Sequence, residues 1–232
     1  MGVLTSSNRS VNTNQMVSQE RPASATRDRL VAAAAAEFAA RGFDGAKVDR
    51  IAARARVNKA MLYYHFTNKA ALYREVLRGV FATVASAVGE VRDAGGTPET
   101  QLRAFIQAVS ATAIAHPHFP PIWLREMAEG GRHLDDVVVH EMSAVLATLS
   151  GILQSGEAAG EFQAAHPLVV QLGIVGPLLL FAATAPIRER YRDRKPLQLP
   201  VVTHDAVLAH VQAATLAGLG SHASNTRRRR SS

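Results

Sequence analysis

Two short helical segments separated by a tight break constrain this chain most strongly. The first covers about 48–55, with Val48 and Ile51 on its apolar face. The second follows after about three residues, begins with Asn58 as a helix N-cap and reaches Phe66. Helices this short, joined by so tight a turn, cross steeply and do not form an extended hairpin. The pattern therefore predicts a helix-turn-helix unit.

An amphipathic helix precedes this pair and supplies the third side of a small core. Leu30, Ala34 and Phe38 recur at helical spacing, with Thr26 as the expected N-cap and Gly42 as the expected end. The side chains expected to pack against this face are Ile51, Val57, Leu62 and Phe66.

The rest of the chain also has helical periodicity. Beyond Gly95-Gly96 there is neither β-alternation of useful length nor an internal repeat. The sequence predicts an all-α fold with a small N-terminal domain and a larger helical bundle. The expected bounds are a disordered arm at 1–25, the helix-turn-helix domain at 26–75, the bundle at 76–220 and a disordered basic tail at 221–232.

Charge is segregated along the chain. The net charge is +7, and residues 27–79 hold 11 Lys/Arg against 5 Asp/Glu. Residues 80–226 hold 9 Lys/Arg against 13 Asp/Glu, and the tail 227–230 is four arginines. A basic module beside a mildly acidic one indicates a polyanionic partner for the basic module alone.

The second helix of the pair is expected to expose an aromatic arc that a partner must cover. A DNA major groove accepts such a helix, and phosphates accept the surrounding donors. The side chains expected at bases or backbone are Val48, Ala60, Met61, Tyr63, Tyr64 and His65, with Lys47, Arg50, Asn58, Lys59 and Lys69 as the surrounding donors.

Three runs give this region a family resemblance. Residues 43–52 read Phe-Asp-Gly-Ala-Lys-Val-Asp-Arg-Ile-Ala, residues 57–66 read Val-Asn-Lys-Ala-Met-Leu-Tyr-Tyr-His-Phe, and residues 68–72 read Asn-Lys-Ala-Ala-Leu. Over about 27–75 the chain resembles the DNA-binding domain of the TetR family. The resemblance implies a homodimer on a palindromic double-stranded operator, with the larger domain responsible for dimerisation and for binding a small effector.

The resemblance also assigns roles to single residues. It implies phosphate contacts for Lys47 and Lys69, and a cap with a possible phosphate contact for Asn58. Arg56 stands where the family commonly has glycine, so it is expected either to strain the turn or to add a phosphate contact. Met61 stands where a small Thr or Ser is common, so an apolar contact to a thymine methyl is expected in place of a hydrogen bond.

The apolar run 168–187 contains no charged residue and is long enough to cross a membrane. Gln171, Gly173 and Pro177 interrupt it, and basic segments flank it on both sides, so a bundle helix is favoured and no membrane partner is expected. By resemblance, this run and the last helix, about 204–219, would form a four-helix dimer interface. The expected facing stripe of the last helix is Leu208, Val211, Gln212, Thr215 and Leu219.

An effector pocket is implied in the larger domain, and its occupant is expected to be a small apolar or amphipathic molecule. The candidate lining residues are Phe105, Val109, His116, Phe119, Trp123, Met127 and Leu178, each of which is equally consistent with plain core. His116 and His118 have no third ligand at convincing spacing, so neither a metal nor a cofactor is predicted.

Other classes of function have less support. The sequence contains no phosphate loop, nucleophile elbow or metal-binding helix motif, so an enzyme is not expected. The absence of cysteine and of an apolar leader favours a cytoplasmic protein. The prediction is a repressor that an effector releases from its operator. The alternatives are a ligand-independent DNA-binding regulator and a helical protein that binds nucleic acid without sequence preference.

Overall fold

The computed structural model describes residues 13–192 and 201–220, with side chains from residue 24 onward. These residues form ten helices, and the predicted all-α fold is confirmed. The helices are α1 Thr13–Gly45, α2 Val48–Arg54, α3 Lys59–His65, α4 Lys69–Ala94, α5 Pro98–Ala115, α6 Phe119–Ala128, α7 Asp136–Ala158, α8 Pro167–Ala183, α9 Ala185–Tyr191 and α10 His204–Leu219.

The N-terminal end of α1 differs from the prediction. Helix replaces the predicted disorder over 13–25, while residues 1–12 and the predicted tail at 221–232 lie outside the described residues. Polar residues such as Gln15 and Glu20 are good helix formers, and they extend a helix whose nucleation is already complete. Gly42 adopts φ 69° and ψ 178°, so the backbone breaks where the sequence predicts the helix end.

The turns around α3 are held by two asparagine caps, of which the sequence analysis predicts Asn58. The Asn58 side chain accepts the N–H of Met61 at 2.8 Å, and the Asn68 side chain accepts that of Ala71 at 2.9 Å. Each cap satisfies a helix N–H that would otherwise lack a partner. The two asparagines therefore fix where α3 and α4 begin.

The long apolar run is divided into two helices. Pro177 lies inside α8, and the break comes at Thr184, where α8 and α9 meet at 48°. By length and composition, α7 and the bent α8–α9 pair would each be able to cross a membrane. Leu149 of α7 and Ile174 of α8 are fully buried in the same hydrophobic core, whereas Val169 and Leu172 of α8 are exposed.

Two hydrophobic cores are joined by α4. Its first half contributes Tyr73 and Leu77 to a core that contains Phe38 and Leu62 of the helix-turn-helix domain. Its second half contributes Val84 and Val88 to a core shared with α5, α7, α8 and α10. A single continuous helix therefore couples the small domain mechanically to the large one.

The predicted stripe of α10 packs within the chain, whereas the sequence analysis expected it to face a second copy. Leu208, Val211 and Leu219 are buried within the chain, and the Gln212 amide donates to the Arg103 carbonyl. The stripe packs on α5 and α8 because burial within the chain satisfies its apolar side chains. The outer face of α10 carries small residues instead: Ala206, Ala209, Ala213 and Ala217.

A buried carboxylate occupies the junction between the two domains. Glu126 of α6 is 1% exposed and accepts from the Tyr73 hydroxyl at 2.9 Å and from the His133 N–H at 2.7 Å. The His133 ring lies 2.9 Å from the same carboxylate and packs on Phe43 of α1. Burial alone would raise the pKa of Glu126, but these hydrogen bonds outweigh it and hold the pKa below its ordinary value.

Replacing Glu126 by alanine is expected to lower the free energy of unfolding by about 3 kcal/mol, because it leaves buried donors on Tyr73 and His133 without an acceptor. Urea unfolding at neutral pH measures this loss. The exposed neighbour Glu129→Ala is the control and should change stability by no more than about 0.5 kcal/mol.

A lowered pKa means that the contribution of Glu126 is lost on acidification. The difference in unfolding free energy between wild type and E126A should therefore become smaller as the pH falls below the ordinary pKa of a glutamate. A difference that does not change with pH would contradict this role of Glu126.

Candidate DNA-binding interface

The turn between α2 and α3 contains a left-handed residue. Arg56 has φ 56°, and no other non-glycine among the described residues has a positive φ. The following N–H, that of Val57, bonds back to the Ala52 carbonyl at 3.0 Å, which closes the turn. Since a side chain disfavours this conformation, the structure supports the expectation of a strained turn.

Helix α3 presents one face inward and an aromatic face outward. Leu62 is fully buried under the helix. On the outer side Tyr64 is 77% exposed, Tyr63 47% and Met61 37%, and Ala60 is also exposed. Large exposed side chains grouped in this way form a surface that fits a groove.

Two of the predicted contact residues lie deeper than expected. Val48 is half-buried and packs on the N-terminal core. His65 is also half-buried, and its Nε2 is enclosed without a hydrogen-bond partner, while its ring lies edge-on to Tyr64 at 5.1 Å. Val48 is the first residue of α2, on the face that the sequence already predicts to be apolar, and His65 is the last residue of α3, where the helix meets the core.

Arg50 is engaged inside the domain. Its Nε lies 2.6 Å from Oε1 of Glu37, which is 8% exposed, and its Nη2 donates to the Gly45 carbonyl at 2.8 Å. Glu37 also accepts the Lys47 N–H at 3.3 Å. Burial alone would raise the pKa of Glu37, but the bonds from Arg50 and Lys47 hold it below its ordinary value. Arg50 therefore ties α2 to α1.

The other basic residues divide into two groups. Lys69 is half-buried: its Nζ donates to the carbonyls of Phe43 and Ala46 at 2.9 and 3.2 Å and lies 4.5 Å from the Phe43 ring centroid. Lys47 and Lys59 are exposed, and Lys59 pairs with Asp49 on the surface at 2.9 Å. In an exposed pair of this kind the lysine readily exchanges its carboxylate partner for another anion. The contacts of Lys69 instead hold the backbone at the end of α1 in place.

A cavity of about 370 Å³ lies between α4, α5, α6, α7 and α8. It is lined by four of the seven predicted residues: Val109, Phe119, Trp123 and Met127. Phe105 and Leu178 do not line it, because they are buried in the second core at 0% and 3% exposure. His116 lies on a separate, larger cleft of about 670 Å³ beside the helix-turn-helix domain, together with Arg29, Arg54 and Arg56.

The cavity also has walls that the sequence analysis did not identify. Phe81 of α4, Met142 of α7 and Gln171 of α8 line it from helices distant in the chain. Gln171 carried a usable signal, since it is a single amide in an otherwise apolar, charge-free run. Among the described side chains, no group of three His, Asp or Glu is placed to hold a metal ion.

Family models match both parts of this architecture. Residues 30–76 match the model of bacterial regulatory proteins of the tetR family, and residues 98–185 match that of the tetracyclin repressor-like C-terminal domain. The HTH-type transcriptional repressor NicS of Pseudomonas putida is 30% identical over 146 residues, 60% of this chain and 66% of that protein. The HTH-type transcriptional repressor SCO4008 of Streptomyces coelicolor is 45% identical over 64 residues, 28% of this chain and 33% of that protein.

A solved structure agrees at the level of the fold. The transcriptional regulator FadR of Bacillus subtilis, solved in complex with stearoyl-CoA, gives a TM-score of 0.66 over 82% of this chain and 98% of its own, at 17% identity. The matched segments span just under two thirds of NicS and a third of SCO4008.

The fold and the outward α3 face define a helix-turn-helix DNA-binding regulator of transcription. The chain belongs to the TetR family, and the curated relatives that it matches are transcriptional regulators rather than enzymes.

Substituting Lys69 by alanine is expected to lower the free energy of unfolding by about 1–2 kcal/mol, because two carbonyls lose a charged donor and Phe43 loses its cation. Urea unfolding of the full chain measures the effect. The exposed Lys47→Ala should stay within about 0.5 kcal/mol of wild type. Equal effects of the two substitutions would show that the Lys69 contacts do not stabilise the domain.

Proposed function

We propose that this chain is a cytoplasmic repressor that binds a palindromic operator as a homodimer and leaves it when a small molecule occupies the cavity between α4 and α8. The outward face of α3, with Tyr64 as its most exposed aromatic side chain, is the observation that carries the proposal.

The DNA contacts divide by their place on the surface. Met61, Tyr63 and Tyr64 project from α3 and would meet base edges in the major groove, with Met61 suited to a thymine methyl. Lys47 and Lys59 stand at its rim and would neutralise phosphates. Arg50, Lys69 and His65, which are engaged with the domain itself, would position α3 and contact DNA less directly.

A homodimer is supported by an exposed apolar face on α8 and α10. On α8, Val169, Leu172 and Leu180 are 67%, 64% and 56% exposed at helical spacing. The neighbouring outer face of α10 carries alanines, which permit close approach of a second copy. Two such faces related by a two-fold axis would form a four-helix interface.

Helix α6 supports the link from effector to operator. Its Trp123 and Met127 line the cavity, while its Glu126 and Arg125 bind the small domain. The Arg125 guanidinium donates to the carbonyls of Phe38 and Ala39 at 3.1 and 2.6 Å. An effector that binds best to a shifted α6 would favour a dimer whose α3 helices no longer match the groove spacing of about 34–36 Å, and DNA would be released.

Selection of bound DNA from a random pool by the full chain is expected to yield a palindromic operator.

On the selected operator, Tyr64→Ala should weaken binding by about 1–3 kcal/mol and relax one position in each half-site, because a base contact is lost. Lys47→Ala should weaken all sequences alike and lower the salt slope by about 0.9 for each phosphate released. Arg103→Ala on α5, remote from α3, is the control and should change neither. Equal affinity of the wild type for operator and random DNA would refute the proposal.

Leu180→Arg is expected to convert the dimer into a monomer, since it places a charge in an apolar contact. Analytical ultracentrifugation at micromolar concentration measures the change. Ile114→Arg on α5 is a matched control, because Ile114 is 55% exposed and belongs to neither α8 nor α10. If Leu180→Arg remained dimeric, the α8–α10 face would not be the interface.

A further inference from the structure

We propose that the cavity selects an uncharged apolar molecule that carries one hydrogen-bond donor, such as an alcohol, and that Gln171 receives this donor. This inference rests on the proposed function, because it concerns the chemical class of the effector.

The wall of the cavity is almost entirely apolar. Aromatic rings from Phe81, Phe119 and Trp123 pack edge-on or parallel at centroid distances of 4.9–6.1 Å and form one side. Aliphatic residues of α4, α5, α7 and α8, together with Met127 of α6 and Met142 of α7, form the other sides. Such a surface stabilises a ligand mainly by removing apolar area from water.

No charged residue is found among the residues that line the cavity. A carboxylate or phosphate that entered would lose its hydration without gaining a cation, and this costs several kcal/mol. The side chains at the more exposed part of the wall, Met127, Val139 and Leu168, are apolar as well. The cavity therefore disfavours acids relative to neutral molecules of equal length.

Of the three polar side chains in the wall, two are already bonded to backbone carbonyls and the third, Gln171, has an unpaired acceptor. The Thr112 hydroxyl donates to the Ala108 carbonyl at 3.0 Å, and the Ser143 hydroxyl donates to the Val139 carbonyl at 2.8 Å, so neither offers its proton to a ligand. Gln171 Oε1 is buried and has no hydrogen-bond partner among the described residues. A buried acceptor left unpaired is costly, and a ligand hydroxyl would satisfy it.

The chain contains a single tryptophan, Trp123, which lies in the cavity wall and reports occupancy without DNA. The experiment is a fluorescence titration of the full chain at pH 8 with 1-decanol, decanoate and decyl methyl ether. These probes share a decyl or decanoyl chain and differ in charge and in the presence of a donor. The same titrations are repeated on Gln171→Leu, which keeps the volume and removes the acceptor, and on the exposed control Gln107→Leu.

We expect decanol to bind at least tenfold more tightly than decanoate and about fivefold more tightly than the ether, which has no donor. Gln171→Leu should abolish the preference for decanol over the ether, while Gln107→Leu should keep it. Decanoate binding as tightly as decanol, a preference that survives Gln171→Leu, or the absence of any fluorescence change up to the solubility of decanol would each overturn the inference.

Operator release is measured separately by gel shift with the same probes. If decanol binds with the expected selectivity but leaves the operator complex intact, the ligand class stands and the proposed release mechanism fails. If the operator is released by decanoate and not by decanol, the release mechanism stands and the ligand class fails.

Discussion

The hydrogen bonds that the buried Glu126 carboxylate accepts determine how the two domains are held against each other. A carboxylate that is 1% exposed is stable only while every oxygen is matched, and its partners come from α4 and from the loop after α6. The His133 ring in turn packs on Phe43, at the end of α1. A shift of α6 must therefore either carry the small domain with it or break a buried network, and the network favours concerted movement.

The basic character of the small domain has two physical origins that charge counting does not separate. Arg50 and Lys69 hold α1, α2 and α4 together through Glu37 and backbone carbonyls. Lys47 and Lys59 remain on the surface. A polyanion therefore meets fewer available cations than the sequence suggests, and the exposed aromatic face of α3 gains correspondingly in importance for recognition.

Volume alone does not identify the effector site. The larger cleft, beside the DNA-binding domain, has three arginines and two histidines among alanines and other apolar residues, whereas the smaller cavity is lined by rings and aliphatic side chains from five helices and by no charged residue. The smaller cavity has the more apolar wall and includes Trp123 and Met127 of α6, close in the helix to Glu126 at the domain junction.

The sequence by itself determined the all-α class, the cap at Asn58, the break at Gly42 and the outward position of Tyr63 and Tyr64, because helical periodicity and capping are local properties. It did not determine which of two apolar faces of α10 is internal, that Arg50 and Lys69 bond to groups of their own domain, or that Gln171 joins Trp123 in one cavity. Those depend on contacts between residues far apart in the chain, such as Glu126 with Tyr73 and Gln212 with Arg103. Packing decides them, since an apolar or charged side chain takes the partner that the folded chain brings within reach.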